Sequence, residues 1–276
     1  MKIGIVGLGM MGCSLAHALK NSQNITQIIG CDNNEKHLKE ATHLNLIDSS
    51  ASLDEVLELA QVVFLVIPPQ AIMSTLQNLS PLAKQTTVID FSSVKKSIVE
   101  CIPSHSRANF VACHPMCGNE KSGPKGYQED LYKNKTLIVC DKEESGAEHL
   151  QKAMEIFVQL QMNIVEMDSL THDIHIGFVS HLPHMISFTL ANSVLKQEDP
   201  SKITQLRGGG FESMSRIAKS NPSLWVDIFK HNHENLSIAL DAFEEEYKIA
   251  RSYFQNKQWD KLGKWIEHAN KLEQIL

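Results

Sequence analysis

Two short stretches hold residues whose types and spacing could do chemistry. "CHPMCGNEKSG" at 113–123 sets His114 between Cys113 and Cys117, and "KIGIVGLGMMG" at 2–12 spaces Gly7, Gly9 and Gly12 as G-x-G-x-x-G. The first could be a metal site, a thiol site, or a loop that aims an imidazole at a substrate. Zinc usually takes four ligands, and its structural sites show paired short spacings; no second cysteine pair follows, and the order does not match the haem-attachment pattern C-x-x-C-H. We expect no metal. Cys113 continues the apolar run NFVAC, which suits a small buried side chain better than a nucleophile. His114 leaves the end of that predicted strand, and Pro115 stiffens the turn after it. A neutral imidazole there can accept a proton from an alcohol while hydride leaves the same carbon. The competing reading is an ordinary loop histidine on the surface.

The glycine pattern follows a strand and opens a helical segment, which is the context of a dinucleotide-binding turn. Gly7 permits the tight turn, Gly9 lets the backbone approach a pyrophosphate, and Gly12 lets helix and strand pack closely; Leu8, Met10 and Met11 complete the loop. Asp32 stands 20 residues beyond Gly12, at the end of the next strand. A carboxylate there accepts hydrogen bonds from ribose hydroxyls and repels a 2′-phosphate, so NAD is favoured over NADP; capping of the following helix is compatible with this. In VVFLVIPPQ, Ile67 and Pro68 end a third strand where backbone groups can border the nucleotide, although a plain strand stop explains the prolines equally well. VIDFSSVKKS ends a fourth strand. Ser92 falls on the nucleotide side. Ser93 suits a helix N-cap, and its hydroxyl could also orient an imidazole across the crevice.

These residues need a scaffold. A chain of 276 residues, with 42% hydrophobic and 21% charged residues, has the balance of a soluble globular protein of two domains. A net charge of −6 gives no electrostatic case for nucleic acid or an anionic membrane. No apolar stretch reaches the roughly 20 residues of a membrane span, and the N-terminus lacks a signal-peptide cleavage region, so a cytoplasmic location is expected. Six cysteines, all within the first 140 residues, read as reduced and mostly buried thiols.

Residues 1–167 alternate β-branched runs (KIGIV, TQIIGC, VVFLVI, TTVID, NFVAC, KTLIVC, NIVEM) with helical patterns such as SLDEVLELA, which Ser52 and Glu55 cap. That order predicts an α/β Rossmann-like domain, a doubly wound and mostly parallel sheet covered on both faces. Residues 168–276 hold no convincing strand; 169–197, 202–219, 222–254 and 258–276 carry helical periodicity, predicting an all-helical second domain. In the helix after Asp168, Ile174, Phe178, Leu182, Met185 and Ile186 form an apolar stripe for packing. Asp173, Gly177, Ser180, His184 and Ser187 form a polar stripe that can face a ligand crevice. Pro183 should kink this helix, and His172 and His175 project roughly opposite to His181 and His184. RGGGF leads into a helix over 212–219, where exposed N–H groups suit a carboxylate. Arg216 within it can add a bidentate contact or simply pair with Glu212; Arg207 is its nearby competitor. The long apolar stripes exceed what one helical layer can bury, predicting a homodimer.

Read together, "DFSSVK", then 21 residues from Ser93 to His114, then "HPMCGNEKSG", resemble the prephenate dehydrogenase family, which includes the arogenate dehydrogenases. "SHLPHMISFTLAN" (180–192) and "GGGFESMSRIAKSNPSLWVDIFKHN" (208–232) are similar to that family's helical-domain signatures. The resemblance spans Gly7 to about Asn232. Asn119 departs from it, since threonine is common there; both side chains hydrogen-bond. The resemblance implies NAD-dependent oxidative decarboxylation of prephenate, or of arogenate, with His114 taking the proton of the ring hydroxyl and Ser93 orienting both. It also implies substrate contacts from His184, Arg216, Asn119, Glu120, Gly209 and Ser213, with Trp225 shaping the pocket. The N-terminal GLGMMG also resembles the β-hydroxyacid dehydrogenases, whose catalytic lysine motif has no match in this chain. A catalytically silent NAD-sensing protein is the remaining alternative, disfavoured by intact His114, Ser93 and Arg216.

Overall fold

The computed structural model describes every residue except Asn21, Gln23, Glu120 and Leu276. All seven predicted runs form strands: β1 (Lys2–Val6), β2 (Gln27–Cys31), β4 (Val62–Leu65), β5 (Thr87–Asp90), β6 (Phe110–Pro115), β7 (Thr136–Cys140) and β8 (Asn163–Met167). A two-residue strand, β3 (Ser49–Ser50), is too short to leave a periodic signal and was not expected. The sheet order is β3-β2-β1-β4-β5-β6-β7-β8, with every neighbouring pair parallel except β6 and β7. The chain runs outward from β1 to β3 and then returns to build the other half from β4. This reversal opens a crevice beyond the carboxyl ends of β1 and β4, where such sheets hold ligands.

Strand alternation divides the core between two faces. In β4, Val62 and Phe64 join Ile3, Ile5, Leu15 and Phe157 on one face; Val63 and Leu65 join Val56, Ile72, Leu76 and Ile98 on the other. Helices α1 (Met10–Lys20), α2 (Glu35–His43), α3 (Leu53–Leu59), α4 (Pro69–Gln77), α5 (Lys96–Glu100) and α6 (Ala147–Gln159) cover these faces. Ser52 and Glu55 form the expected capping box at α3. At α2 the cap is Asn34, whose side chain accepts from Lys36 N, and not Asp32. Ser93 is not a cap either. Helix α5 begins three residues later, and its first N–H groups go to Asp173, which lies 78 residues beyond Lys95.

After β8 every described element is helical: α7 (Ser169–Ile176), α8 (Leu182–Gln197), α9 (Pro200–Leu206), α10 (Gly209–Ser215), α11 (Pro222–His231), α12 (His233–Gln255) and α13 (Trp259–Ala269). The expected helix 169–197 is interrupted at Gly177–His181 by a π turn, and Pro183 sits in the first turn of α8, where a missing N–H costs little. A π turn carries more residues than an α turn, so it rotates every later face. His172 and His181, expected on opposite sides, are both fully buried, and Asn232 bridges Asp173 O and His181 Nδ1 at 2.8 and 3.1 Å. The polar residues Asp173 and Ser187 are the buried ones, while Ile174 and Phe178 of the apolar stripe are each 40% exposed. Leu182, Met185 and Ile186 are half-buried, so the expected inward packing of that stripe is only partial within one protomer. The expected helix over 212–219 starts earlier, at Gly209, and gives way at Arg216 to a 3₁₀ turn over Arg216–Lys219. Ile176 of α7 and Ile228 of α11 enter the second core cluster, and the Asp227 carboxylate accepts from Gln70 N at the start of α4. These contacts seat the helical part on the sheet.

Two glycines of the first turn are sterically required. A Cβ on Gly7, at φ +98°, would lie 2.2 Å from Val66 O, and one on Gly12 would lie 1.8 Å from Gly7 O. A Cβ on Gly9 meets nothing within 4 Å. Gly12→Ala should therefore lower unfolding stability in urea by about 2–3 kcal/mol through overpacking against fixed backbone. Gly9→Ala should leave it within about 0.5 kcal/mol of the parent, as expected where a substitution meets no neighbour. Equal effects at the two positions would contradict this geometry.

Candidate active site

The crevice is a cleft of about 1850 Å³ that extends from the glycine turn to the helical part. Gly7, Gly9, Met10, Met11, Asp32, Ile67, Pro68 and Ser92 line its sheet side. Gly9 opens onto it, and the N-terminus of α1 follows at once, so unpaired N–H groups and the positive end of an 11-residue helix face that space. Leu8 and Gly12 lie underneath. Leu8 N–H donates to Asp32 Oδ2 at 2.7 Å, and that oxygen also meets His37 Nδ1 at 3.2 Å. Asn34 N–H donates to Oδ1 at 2.7 Å. Asp32 thus holds the turn in shape and keeps only part of its accepting capacity for another group. The residues present fit a dinucleotide: an open backbone cradle, a helix N-terminus and a carboxylate at the end of β2.

The other side of the cleft is lined by Ser93, His114, Asn119, Ser180, His184, Arg216 and Trp225. His114 ends β6 and is 7% exposed. Its Nδ1 is 2.9 Å from His172 Nε2, which leaves Nε2 as the ring nitrogen for the cleft that His114 lines. Burial, then the neighbouring His172, Lys95 and His181, push its pKa well below the ordinary imidazole range. His114 is therefore neutral at pH 7, with an acceptor available. Lys95 Nζ donates to Cys113 O at 2.6 Å, to Ser92 Oγ at 3.1 Å, and to Asp90 Oδ2; Lys95 and Asp90 are both fully buried. This pair anchors the backbone one residue before His114.

His184 Nδ1–H donates to Ser180 O at 3.0 Å. Its ring stacks on Trp225 with centroids 3.4 Å apart at 23°. Burial is the main cause of its lowered pKa, and Arg216 pushes in the same direction. Asn119 Oδ1 accepts from Lys121 N at 2.7 Å, leaving a buried Nδ2 with no partner. Gly209 and Ser213 do not join the cleft; both are exposed on α10. Glu120 lies outside the described residues. Glu212 pairs with Arg207 at 2.6 Å, so Arg207 is the residue that takes up the helix ion pair expected of Arg216. Cys113 is fully buried, and burial drives the thiols of Cys113 and Cys117 upward, the latter to about 12. Neither behaves as a ready nucleophile.

Sequence reasoning missed His172, Lys95 and Asp90. Lys95 stood in the noted DFSSVK stretch, and an acidic end to β5 followed by a lysine five residues later was a usable signal. His172 had none, because it meets His114 only across the docking of α7 on the sheet, 58 residues away in the chain.

A family model for the prephenate dehydrogenase nucleotide-binding domain matches residues 15–166, and one for the prephenate dehydrogenase dimerization domain matches 168–268. The chain is 27% identical to a Bacillus subtilis prephenate dehydrogenase over 271 residues, covering 96% of this chain and 73% of that protein. Among solved structures it is similar to prephenate dehydrogenase from A. aeolicus in complex with hydroxyphenyl propionate and NAD+, with TM-score 0.90 and 29% identity over 100% of this chain and 97% of that one. It is also similar to Synechocystis arogenate dehydrogenase, with TM-score 0.75 and 26% identity over 99% of both chains. With both halves of the chain matched in order, the protein belongs to the prephenate dehydrogenase family.

Proposed function

We propose that this protein catalyses the NAD-dependent oxidative decarboxylation of prephenate to 4-hydroxyphenylpyruvate. The observation that carries this reading is the neutral His114, whose free Nε2 opens between the nucleotide cradle and the Arg216–His184 side of the cleft. Gly7, Gly9 and the N-terminus of α1, with Asp32 at the ribose, would hold NAD, which would supply the acceptor for the hydride released from C4 of the ring. His114 Nε2 accepts the proton of the 4-hydroxyl as that hydride leaves, and Ser93, which lines the same cleft, orients the hydroxyl. Loss of the ring carboxylate as CO₂ makes the ring aromatic, which renders the step irreversible. Arg216 supplies the positive charge for a dicarboxylate in a chain of net charge −6. A carboxylate seated beside His184 favours its imidazolium form, which can then donate through Nε2. The unpartnered Asn119 amide is a further donor on this side, and Trp225 packs the wall behind it. Arogenate differs only by an amino group in place of the side-chain keto group. The likeness to an arogenate dehydrogenase over the whole chain makes it the second substrate to test.

Following reduced-nicotinamide absorbance with prephenate and arogenate, each with NAD and NADP, tests this reading. Turnover of prephenate with a higher kcat/KM for NAD than for NADP is expected. No turnover of either substrate would refute the dehydrogenase assignment, and equal or better use of NADP would refute the role given to Asp32.

His114→Asn keeps a polar group of similar reach but removes the base. Its kcat should fall by roughly 10²–10⁴-fold with the fold intact, the range typical of a lost general base. Circular dichroism checks the fold, and a variant that keeps most of its activity would move the base elsewhere.

The exposed apolar residues of the helical part include Phe178, Val179, Ile238, Tyr247 and Phe254. Together with the dimerization-domain match they support a homodimer. Light scattering at micromolar concentration should give twice the 30.9 kDa chain mass; a monomer mass would overturn the assembly.

A further inference from the structure

Behind His114 a buried chain of side chains leads away from the cleft into the helical part. His114 Nδ1 meets His172 Nε2 at 2.9 Å, and His172 Nδ1 meets Asp173 Oδ1 at 2.7 Å. His172 is fully buried and Asp173 is 2% exposed. The same carboxylate accepts Lys95 N at 2.8 Å and Lys96 N at 3.0 Å. Proton placement along this chain is determined by the acceptor at its end. A carboxylate offers no proton, so His172 must donate through Nδ1 and keep Nε2 bare. That bare nitrogen can only accept, so His114 must carry its proton on Nδ1. The nitrogen left unprotonated is His114 Nε2, the one facing the cleft.

We infer that His172 and Asp173 are positioning residues that lock His114 in the Nδ1–H tautomer and thereby make its cleft-facing nitrogen the base. This rests on the reading of His114 as the proton acceptor. A neutral imidazole of the opposite tautomer would present an N–H to the substrate hydroxyl and could not take its proton. The charged and titratable groups around His114 are His172 and Asp173 of α7, His181 of the π turn, Asp90 at the end of β5 and Lys95 after it. Among the described residues, only His172 bonds to the ring. Since α7 is the first helix after the sheet, the base is competent only when the helical part is docked on the nucleotide-binding part.

The test has two arms. The first is the ¹⁵N spectrum of the nucleotide-free protein, which distinguishes protonated from bare ring nitrogens and needs no turnover. His114 should show a protonated Nδ1 and a bare Nε2 in the parent. His172→Leu, which fills the space but accepts nothing, should show a mixture or the reverse, and His172→Gln, whose amide oxygen accepts, should restore the parent pattern. The second arm is kinetic. In His172→Leu, kcat should fall about 10–100-fold, the scale of other lost orienting partners, while KM and NAD affinity change less than about threefold; His172→Gln should recover most of it. The acidic limb of the parent's kcat profile should lie below pH 6.5, because a ring with lowered pKa stays neutral until the pH falls past that value, and it should move in His172→Leu.

A bare Nδ1 on His114 in the parent would overturn the inference even if no variant folds. So would a folded His172→Leu with unchanged tautomer, kcat and pH profile. Failure of the parent to turn over either substrate would instead count against the proposed function, and the nitrogen spectrum would still decide the tautomer.

Discussion

The Asp173 carboxylate is the contact on which the two halves of the molecule converge. It receives N–H groups from Lys95 and Lys96 of the nucleotide-binding part and from His172 of its own helix, all within 3.0 Å. Burying a carboxylate is costly unless its oxygens are occupied, and here three donors occupy them. The dependence runs both ways. Helix α5 has no local cap, so losing the carboxylate would orphan two helix-end donors and the imidazole N–H, at about 1–3 kcal/mol for each buried group. A single side chain therefore starts a helix in one part, orients an imidazole chain in the other, and joins the two.

A second buried charge works alongside it. Lys95 reaches back from the same turn to Asp90, Ser92 Oγ and Cys113 O. That last bond holds the end of β6 in place immediately before His114. Because Lys95 contributes both a backbone N–H to Asp173 and an ammonium to Cys113 O, the position of α7 and the position of the base are linked through one residue. The ammonium also adds to the burial that keeps His114 neutral. A fully paired ion pair of this kind is weak evidence for stability, since apolar side chains could fill the same volume. Its contribution here is geometric.

Much of this architecture was legible in the chain because it rests on local signals. β1, β2 and β4–β7 are buried throughout or nearly so, which makes their apolar runs continuous. Ser52 and Glu55 cap α3 within three residues of each other. Gly7 and Gly12 are required by clashes inside a single turn. The errors share one feature, which is dependence on distant partners. Ser93 has the composition of an N-cap, but the cap comes from Asp173. The stripe of Ile174, Phe178, Leu182, Met185 and Ile186 is only partly buried, and the 3.6-residue period that defines it does not hold through Gly177–His181, where the helix has another pitch. His172, upstream of that turn, was hidden for the other reason, a contact with His114 made 58 residues away in the chain. Glu212 had two arginines in reach, and only the fold shows that Arg207 takes it.

The remaining constraint is electrostatic. A helix N-terminus and open backbone N–H groups stand at the glycine turn of the cleft, with Asp32 beside them, and Arg216 lines it near His184 at the other end. A positive charge on His114 is disfavoured by burial and by its neighbours His172, Lys95 and His181. In the proposed reaction, a proton accepted by His114 would therefore be held in unfavourable surroundings. Asp173 offsets this through His172, whose Nδ1–H points at the carboxylate and polarises the ring toward donating density through Nε2. The carboxylate also makes protonation of the histidine pair less costly than it would be beside Lys95 alone, as its upward effect on the His172 pKa indicates. A base in such a site must be neutral before the reaction and tolerably cationic after it. Lys95 and burial supply the first condition, and Asp173 supplies the second.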